Sequence, residues 1–327
     1  MAVLISSTGT LSGQYQKYFR KQLLTPVTQL LVMDQSAQFA QLPEGEGALT
    51  VRFTRPDSPD RSQVDALTEG DPSTLTDTGY TYAFVDATPS QIGKKARVSD
   101  ILSATNLFDT VKNVMKRMGG DAAHYLDFAI TSEIVSGIAS GNKRYAGGAA
   151  DWATLAGLSV NDGRLTIVDL LKAQTQLTVN RAPMAKGGEY VAYLPPQVAF
   201  DVYQDPKFID AGVRGENKGL FNGEMGRWYN VRVIKGTQPW REATGGAEGT
   251  YSSSGGIYAT ISTGSEAYGV VNLASQSALS PKIMIVDRPD HSNPGAQYVS
   301  IAWKAYFCVK TLKNDWSVVT RSLSTYA

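Results

Sequence analysis

The side chains that most often perform chemistry are sparse in this sequence. It contains two histidines, His124 and His291, and one cysteine, Cys308. The histidines lack an H-E-x-x-H or comparable pattern, which favours packed or solvated imidazoles over a metal site or a catalytic triad. Cys308 lies in an apolar segment, which favours a buried, unreactive thiol. A single cysteine also excludes an internal disulfide and a cysteine-built metal cage.

Carboxylate pairs are the remaining candidates for acid–base chemistry. Asp287 with Asp290, and Glu216 with Glu224, are examples, but 30 acidic residues in 327 produce such pairs by chance. A glycosidase-type dyad therefore has no specific support.

Glycine-rich ligand loops are also missing from the sequence pattern. Gly245-Gly246-x-x-Gly249 does not follow a predicted strand and open a helix, which argues against a dinucleotide site. There is no G-x-S-x-G elbow and no Walker loop. We predict no catalytic, cofactor-binding or metal-binding residues, no cofactor and no enzymatic activity.

The composition is that of an ordinary globular protein. Hydrophobic residues make up 42 % of the chain, and 31 basic against 30 acidic residues give a net charge of +1, which argues against a dedicated nucleic-acid binder. No run approaches the roughly 20 apolar residues of a membrane helix, and Met1 to Gly13 lacks the features of a signal peptide. We expect synthesis in a reducing cytoplasm.

The N-terminal third divides into an arm and a hairpin. Apolar residues at three-to-four spacing predict a helical arm over 14–42, kinked at Pro26. Alternation predicts strands over 48–55 and 78–87. The polar, mostly acidic stretch between them predicts a long hairpin that projects from the body. The acidic residues in 57–77 fit either a solvated face or a charge-matched contact with a neighbouring chain.

A long amphipathic helix is predicted over 106–137, with a bend at Gly119-Gly120. A Gly/Ala/Asn-rich loop over 141–163 precedes a second helix over 166–177, where Thr166 and Asp169 occupy capping-box positions. The remaining predicted elements follow in chain order: a strand over 187–194, a helix opened by Pro195-Pro196, a strand over 228–234, buried strands over 257–263 and 282–286, and a return strand pair over 297–322.

This order of elements, together with particular residues, resembles a known family. The stretch from Tyr190 to Trp240, with strand, Pro-Pro, helix, "FNGEMGR", "NVRVI" and a late Pro, resembles phage major capsid proteins of the HK97-like fold, most closely the N4-type family. Residues 265–269 and 299–309, followed by Trp316, also fit. The resemblance is weak over the first 90 residues, where it rests on element order.

The resemblance implies an α+β HK97-like capsid fold. Its domains would be an N-terminal arm (1–42), an extended hairpin or E-loop (43–98), a P domain with the spine helix (99–182), an A domain (183–290) and C-terminal return strands of the P domain (291–327). It also implies a function: self-assembly into pentamers and hexamers of an icosahedral phage head enclosing double-stranded DNA.

The implied partners are other copies of the chain, a scaffolding protein and a portal during assembly, a decoration protein, and packaged DNA contacted non-specifically. The expected location is the virion, without a membrane, after synthesis in the bacterial host cytoplasm. Two alternatives stay open: an encapsulin-like protein compartment shell, and a cytoplasmic hydrolase that uses acidic residues.

Two sets of residues are expected to serve assembly. The candidates for contacts between subunits are Arg52, Arg55, Arg61, Tyr80, Tyr82 and Phe84. The candidate flex points, which would let one chain occupy different positions in a shell, are Pro26, Gly119 and Gly120.

Overall fold

Two mixed sheets and one long helix organise the chain. A computed structural model describes residues 32–33, 35–42, 49–56, 69–70, 79, 81–105, 110–185, 187–207, 224–228, 230–236, 239–273, 282–286, 289 and 293–326. The predicted mixture of helix and sheet is confirmed over this part of the chain.

The first sheet has five strands built around one long strand. Its members are β1 (Gln38–Leu42), β4 (Ser90–Ser99), β11 (Tyr268–Leu273), β12 (Lys282–Val286) and β13 (Tyr298–Thr311). β13 pairs antiparallel with β4 along one edge and with both β11 and β12 along the other, and β1 joins β11 in parallel. The whole sheet is therefore organised by β13, either directly or through β11.

The long helix covers one side of this sheet. It is α2 (Thr110–Gly137), and a separate short helix, α1 (Asp100–Thr105), precedes it. Met118 and Ala122 of α2 pack with Ile301 and Trp303 of β13. Along β13 buried residues alternate with partly exposed ones, because α2 covers one side of the strand and its side chains alternate between the two sides.

The second sheet has seven strands. They are β5 (Lys143–Tyr145), β6 (Tyr190–Leu194), β7 (Glu224–Trp228), β8 (Val231–Lys235), β9 (Trp240–Glu242), β10 (Ile257–Thr263) and β14 (Ser317–Ser322). The order is β5-β14-β10-β6-β8-β7, with β9 also paired to β10. All seven residues of β10 are buried, which places this strand at the centre of the fold.

Three helices accompany the second sheet: α3 (Trp152–Gly157), α4 (Ile167–Val179) and α5 (Pro196–Tyr203). The predicted capping box is confirmed, since the side chains of Thr166 and Asp169 bind each other's backbone N–H at the start of α4. Pro196 occupies the first turn of α5, where a missing N–H costs nothing. Leu170 of α4 and Val198 of α5 belong to the core cluster beneath this sheet.

The predicted hairpin is present at its base. β2 (Val51–Pro56) and β3 (Tyr82–Ala87) pair antiparallel, with Val51 opposite Ala87 and Pro56 opposite Tyr82. The chain then leaves the hairpin and enters β4, which belongs to the five-stranded sheet. The sequence analysis missed β4, because its charged and glycine residues hide the alternation.

Several sequence predictions are wrong in detail. Residues 38–42 form strand β1 rather than the end of a helical arm, because pairing with β11 overrides the helical spacing. The predicted loop over 141–163 contains β5 and α3. Residues 228–234 do not form one strand: Asn230 has a φ of 62° and turns the chain between β7 and β8.

Three further differences concern the C-terminal half and the long helix. The prediction that β12 is buried is wrong, since Met284, Ile285 and Val286 are exposed. β13 and β14 lie in different sheets, so they are not a return strand pair. α2 is one continuous helix through Gly119-Gly120, so the two glycines do not interrupt it.

Candidate assembly interface

The β2–β3 hairpin has two unlike faces. Strand alternation and the register place Val51, Phe53 and Arg55 on one face, and their neighbours Arg52 and Thr54 on the other. The first set is partly buried and the second is exposed. We call these the inner and the outer face of the hairpin.

The inner face is anchored on the body of the same chain. The Phe53 ring lies so close to Gly269 that a Cβ at that position would come within 2.8 Å of the ring. The Arg55 guanidinium lies 4.0 Å from the centre of the Trp316 ring and donates a hydrogen bond of 3.2 Å to the carbonyl of Glu266. The hairpin base is therefore held by its own chain.

The outer face presents uncovered aromatic surface. Tyr82 and Phe84 remain 57 % and 56 % exposed. Arg52 donates two hydrogen bonds to the Asp86 carboxylate, of 2.7 and 2.8 Å, and its guanidinium lies 5.2 Å from the Phe84 ring centre. The hydrogen bond from Arg52 lowers the pKa of Asp86. Such an exposed ion pair adds little stability, so its main effect is to fix the shape of this surface.

A buried polar cluster fixes the residues from which the N-terminal arm departs. The Asp127 carboxylate of α2 accepts hydrogen bonds from the backbone N–H groups of Val32 and Met33, at 3.2 and 2.8 Å. The Ser36 hydroxyl lies 2.9 Å from the hydroxyls of both Tyr193 and Tyr268. These contacts join the arm to α2 and to both sheets.

A buried ion pair joins the C-terminal strand to the centre of the second sheet. Arg321 of β14 and Glu242 of β9 are both fully buried, and the Arg321 Nε lies 3.0 Å from a Glu242 carboxylate oxygen. The indole N–H groups of Trp152 and Trp240 donate to the same carboxylate at 3.0 and 3.1 Å. Arg321 also lies 2.9 Å from Glu248. Strand β14 is thus held by charge as well as by backbone pairing.

Tyr145 gives this cluster a measurable pH dependence. Burial, and then its hydrogen bond to Glu248, raise the pKa of Tyr145 to about 12. A raised pKa means that the folded protein favours the neutral phenol, so this contribution is complete below about pH 10, the ordinary tyrosine value, and is lost as the pH rises through about 12. We expect the free energy of unfolding to fall between these pH values, measured by urea denaturation. Tyr145→Phe should flatten that part of the profile, with Tyr326→Phe as the exposed control; an unchanged profile for Tyr145→Phe would contradict this.

The residues considered for catalysis do not assemble into a reactive site within the described chain. His124 lies on α2 beside the Lys94–Asp121 ion pair, in an open groove lined also by Tyr125 and Trp303. Burial raises the pKa of the half-buried Cys308 thiol, which favours its unreactive form. The described residues contain no group of three His, Cys, Asp or Glu side chains that could hold a metal ion. Among the same residues, no helix has the length and apolar character needed to cross a membrane.

The predicted contact residues separate into three groups. Arg52, Tyr82 and Phe84 lie together on the outer face, whereas Arg55 lies on the inner face against its own chain. The other two contact candidates, Arg61 and Tyr80, lie outside the described residues. The candidate flex point Pro26 and the histidine His291 also lie outside them. The alternation of β2 already implied that Arg52 and Arg55 point in opposite directions. Nothing local marked Asp127, which binds the backbone of Val32 and Met33, or the pairing of Glu242 with the distant Arg321.

Among known proteins, this chain is similar in structure to phage capsid proteins. No family model matches the chain, and no curated protein matches its sequence. The capsid of Ralstonia phage GP4 matches with a TM-score of 0.67 and 14 % identity, over 99 % of this chain and 98 % of that one. The Cyanophage Pam1 capsid matches with a TM-score of 0.70 and 11 % identity, over 99 % and 100 %. The head of Helicobacter pylori bacteriophage KHP40 matches with a TM-score of 0.69 and 12 % identity, over 98 % and 99 %.

The chain therefore has the fold of phage capsid proteins over nearly its whole length. The prediction from the sequence of a mixed helix-and-sheet capsid fold is confirmed at this level.

Proposed function

We propose that this chain is a phage major capsid protein, copies of which assemble into the icosahedral shell of the virion around double-stranded DNA. The observation that carries the proposal is the structural match to phage capsid chains, which covers nearly the full length of this chain and of each matched chain. The exposed outer face of the hairpin supports it, because Tyr82 and Phe84 offer apolar surface that a neighbouring copy would cover. The proposed role is structural rather than enzymatic.

The finer features of the proposal follow the resemblance. They are membership of the N4-type family, the division into arm, E-loop, P domain and A domain, and partnership with scaffolding, portal and decoration proteins. Arg52, Tyr82 and Phe84 are the proposed contacts with a neighbouring subunit. Arg55 has a role at the base of the hairpin in its own chain, so a contact between subunits would use the part of its side chain left uncovered.

Particle formation tests the proposal. We expect closed shells by negative-stain microscopy and a large species by size-exclusion chromatography, when the chain is expressed with its scaffolding partner. A compact monomer or dimer under these conditions would favour the hydrolase alternative. Shells that load protein and no nucleic acid in the phage-infected host would favour the encapsulin-like alternative.

The two glycines of the spine helix α2 are proposed to permit bending during assembly. Gly119 has no atom near the position of a Cβ, so alanine fits there, and each glycine-to-alanine change stabilises a helix by about 1 kcal/mol. We expect Gly119→Ala with Gly120→Ala to stiffen α2 and to reduce the yield of correctly sized particles in microscopy. Gly141→Ala, also in open space but outside α2, is the control. Unchanged particle size and yield in the double variant would remove the proposal.

A further inference from the structure

The loop between β9 and β10 is fixed in place although its composition favours mobility. It comprises residues 243–256, of which five are glycines and three are serines. Glycine and serine leave a backbone many conformations, so a segment of this composition is typically flexible. Most residues of the loop are exposed, so burial does not explain how it is held. Two of its side chains, Glu248 and Tyr251, contact the body of the protein in different places.

Glu248 attaches the loop to the edge of the second sheet. Its carboxylate lies 2.9 Å from Arg321 of β14 and 3.3 Å from Lys143 of β5. It also accepts a hydrogen bond of 2.9 Å from the Tyr145 hydroxyl. Charge-assisted contacts of this kind are stronger than hydrogen bonds between neutral groups. One carboxylate thus holds the loop on β5 and β14.

Tyr251 attaches the same loop to α2. Its ring meets the Phe128 ring of α2 edge to face, with the ring centres 4.9 Å apart, and its centre lies 5.4 Å from that of Trp240 in β9. Phe128 and Trp240 in turn stack on each other, at 5.6 Å. Aromatic pairs at these distances attract each other beyond the effect of burial alone. The loop therefore bridges α2 and the second sheet.

The charges of this attachment permit the loop to detach while the core stays folded. Arg321 is fully buried, and it keeps the buried Glu242 as its partner when Glu248 leaves. The side chains of Lys143 and Glu248 are 29 % and 24 % exposed, so water reaches both. Detachment therefore leaves no uncompensated charge in the interior, which is the main cost of breaking a buried ion pair.

The backbone next to Glu248 also takes part in the attachment. Gly249 has a φ of 79°, a value that residues with a side chain rarely adopt, and no atom lies within 4 Å of the position of a Cβ there. An alanine at this position would fit in space but would strain the turn that presents Glu248. The closed loop thus depends on backbone conformation as well as on charge.

We propose that residues 243–256 form a detachable clasp, which in its closed position holds the Phe128 region of α2 against the second sheet. Opening the clasp separates Tyr251 from Phe128 and leaves both sheets intact. This inference goes beyond the proposed function. Phe128 lies on the C-terminal side of Gly119-Gly120, so the closed clasp would hold one end of α2 while the other end bends.

Hydrogen exchange of the full-length chain, followed by mass spectrometry, tests the inference. Glu248→Gln removes the charge that faces Arg321 and Lys143. We expect amide exchange in residues 243–256 to become about tenfold faster, and exchange of α2 around Phe128 to rise by about threefold, because the clasp then opens more often. Exchange of β10 and β14 should keep the wild-type rate.

Two further variants separate the two attachments. Gly249→Ala strains the turn without changing any charge, so it should also speed exchange of the loop. Tyr251→Ala removes the aromatic contact and keeps Glu248, so exchange should rise around Phe128 while the loop near Glu248 stays protected. Glu189→Gln is the matched control, because it breaks another ion pair of this region, with Arg227, and should leave the loop unchanged.

Three results would overturn the inference. Equally faster exchange in β10 and β14 of Glu248→Gln would show general destabilisation in place of a clasp. An unchanged loop in that variant would show that Glu248 does not hold it. Unchanged exchange around Phe128 in Tyr251→Ala would show that the loop is not coupled to α2. These measurements need no particles, so a wild type that never assembles would overturn the proposed function and would not alter them.

Discussion

Deletion of residues 57–77 is expected to leave a folded protein that forms no particles. The register pairs Pro56 with Tyr82, so the deletion leaves residues 78–81 as a four-residue connection that can close the hairpin. The inner-face contacts of Phe53 and Arg55 would remain, which keeps the hairpin base on the body. Residues 57–77, which the proposed shell requires, would be lost.

The measurement combines microscopy with thermal melting. Replacing the same residues with a Gly/Ser linker of equal length is the matched control, because it retains reach and removes charge. We expect both variants to melt near the wild-type temperature and both to lose particles. Normal particles from the deletion variant would count heavily against the shell proposal.

The second large effect is expected at the buried ion pair. Arg321→Met leaves the Glu242 carboxylate buried without its cationic partner, and breaking a buried pair costs about 3–5 kcal/mol. Glu242→Gln should also destabilise, because it removes the charge that faces Arg321. Chemical denaturation of each variant measures the change in the free energy of unfolding.

The exposed pair between Arg52 and Asp86 provides the comparison. Asp86→Asn breaks a pair at the surface, where water screens the charges and the loss of stability is small. A loss in Arg321→Met no larger than in Asp86→Asn would show that the buried pair contributes little. Trp152 and Trp240 would then be sufficient to satisfy the Glu242 carboxylate.

The elements predicted best are those whose signals are local. The capping box of Thr166 and Asp169, the proline at the start of α5 and the long apolar stripe of α2 each depend on residues a few positions apart. The elements predicted worst depend on distant partners. Residues 38–42 have helical spacing yet form a strand, because the edge of β11 is available to them.

The candidate interface shows the same division. Contact candidates were predicted from aromatic and charged residues of the hairpin, and three of them, Arg52, Tyr82 and Phe84, lie together on the outer face. Arg55 was assigned the same role, but it packs on Trp316 of its own chain, which is far away in sequence. No local pattern could reveal that contact.

The sequence by itself determined the long helix, the two strands at the base of the hairpin and the acidic character of residues 57–77, because periodicity and composition depend on neighbouring residues. The class of fold was predicted from the resemblance to a known family. Only the tertiary structure decided that β13 and β14 enter different sheets, that Glu242 and Arg321 meet in the interior, and that residues 90–99 pair along β13. These arrangements depend on strand register and on packing between segments far apart in the chain, where each placement is stabilised by all the others.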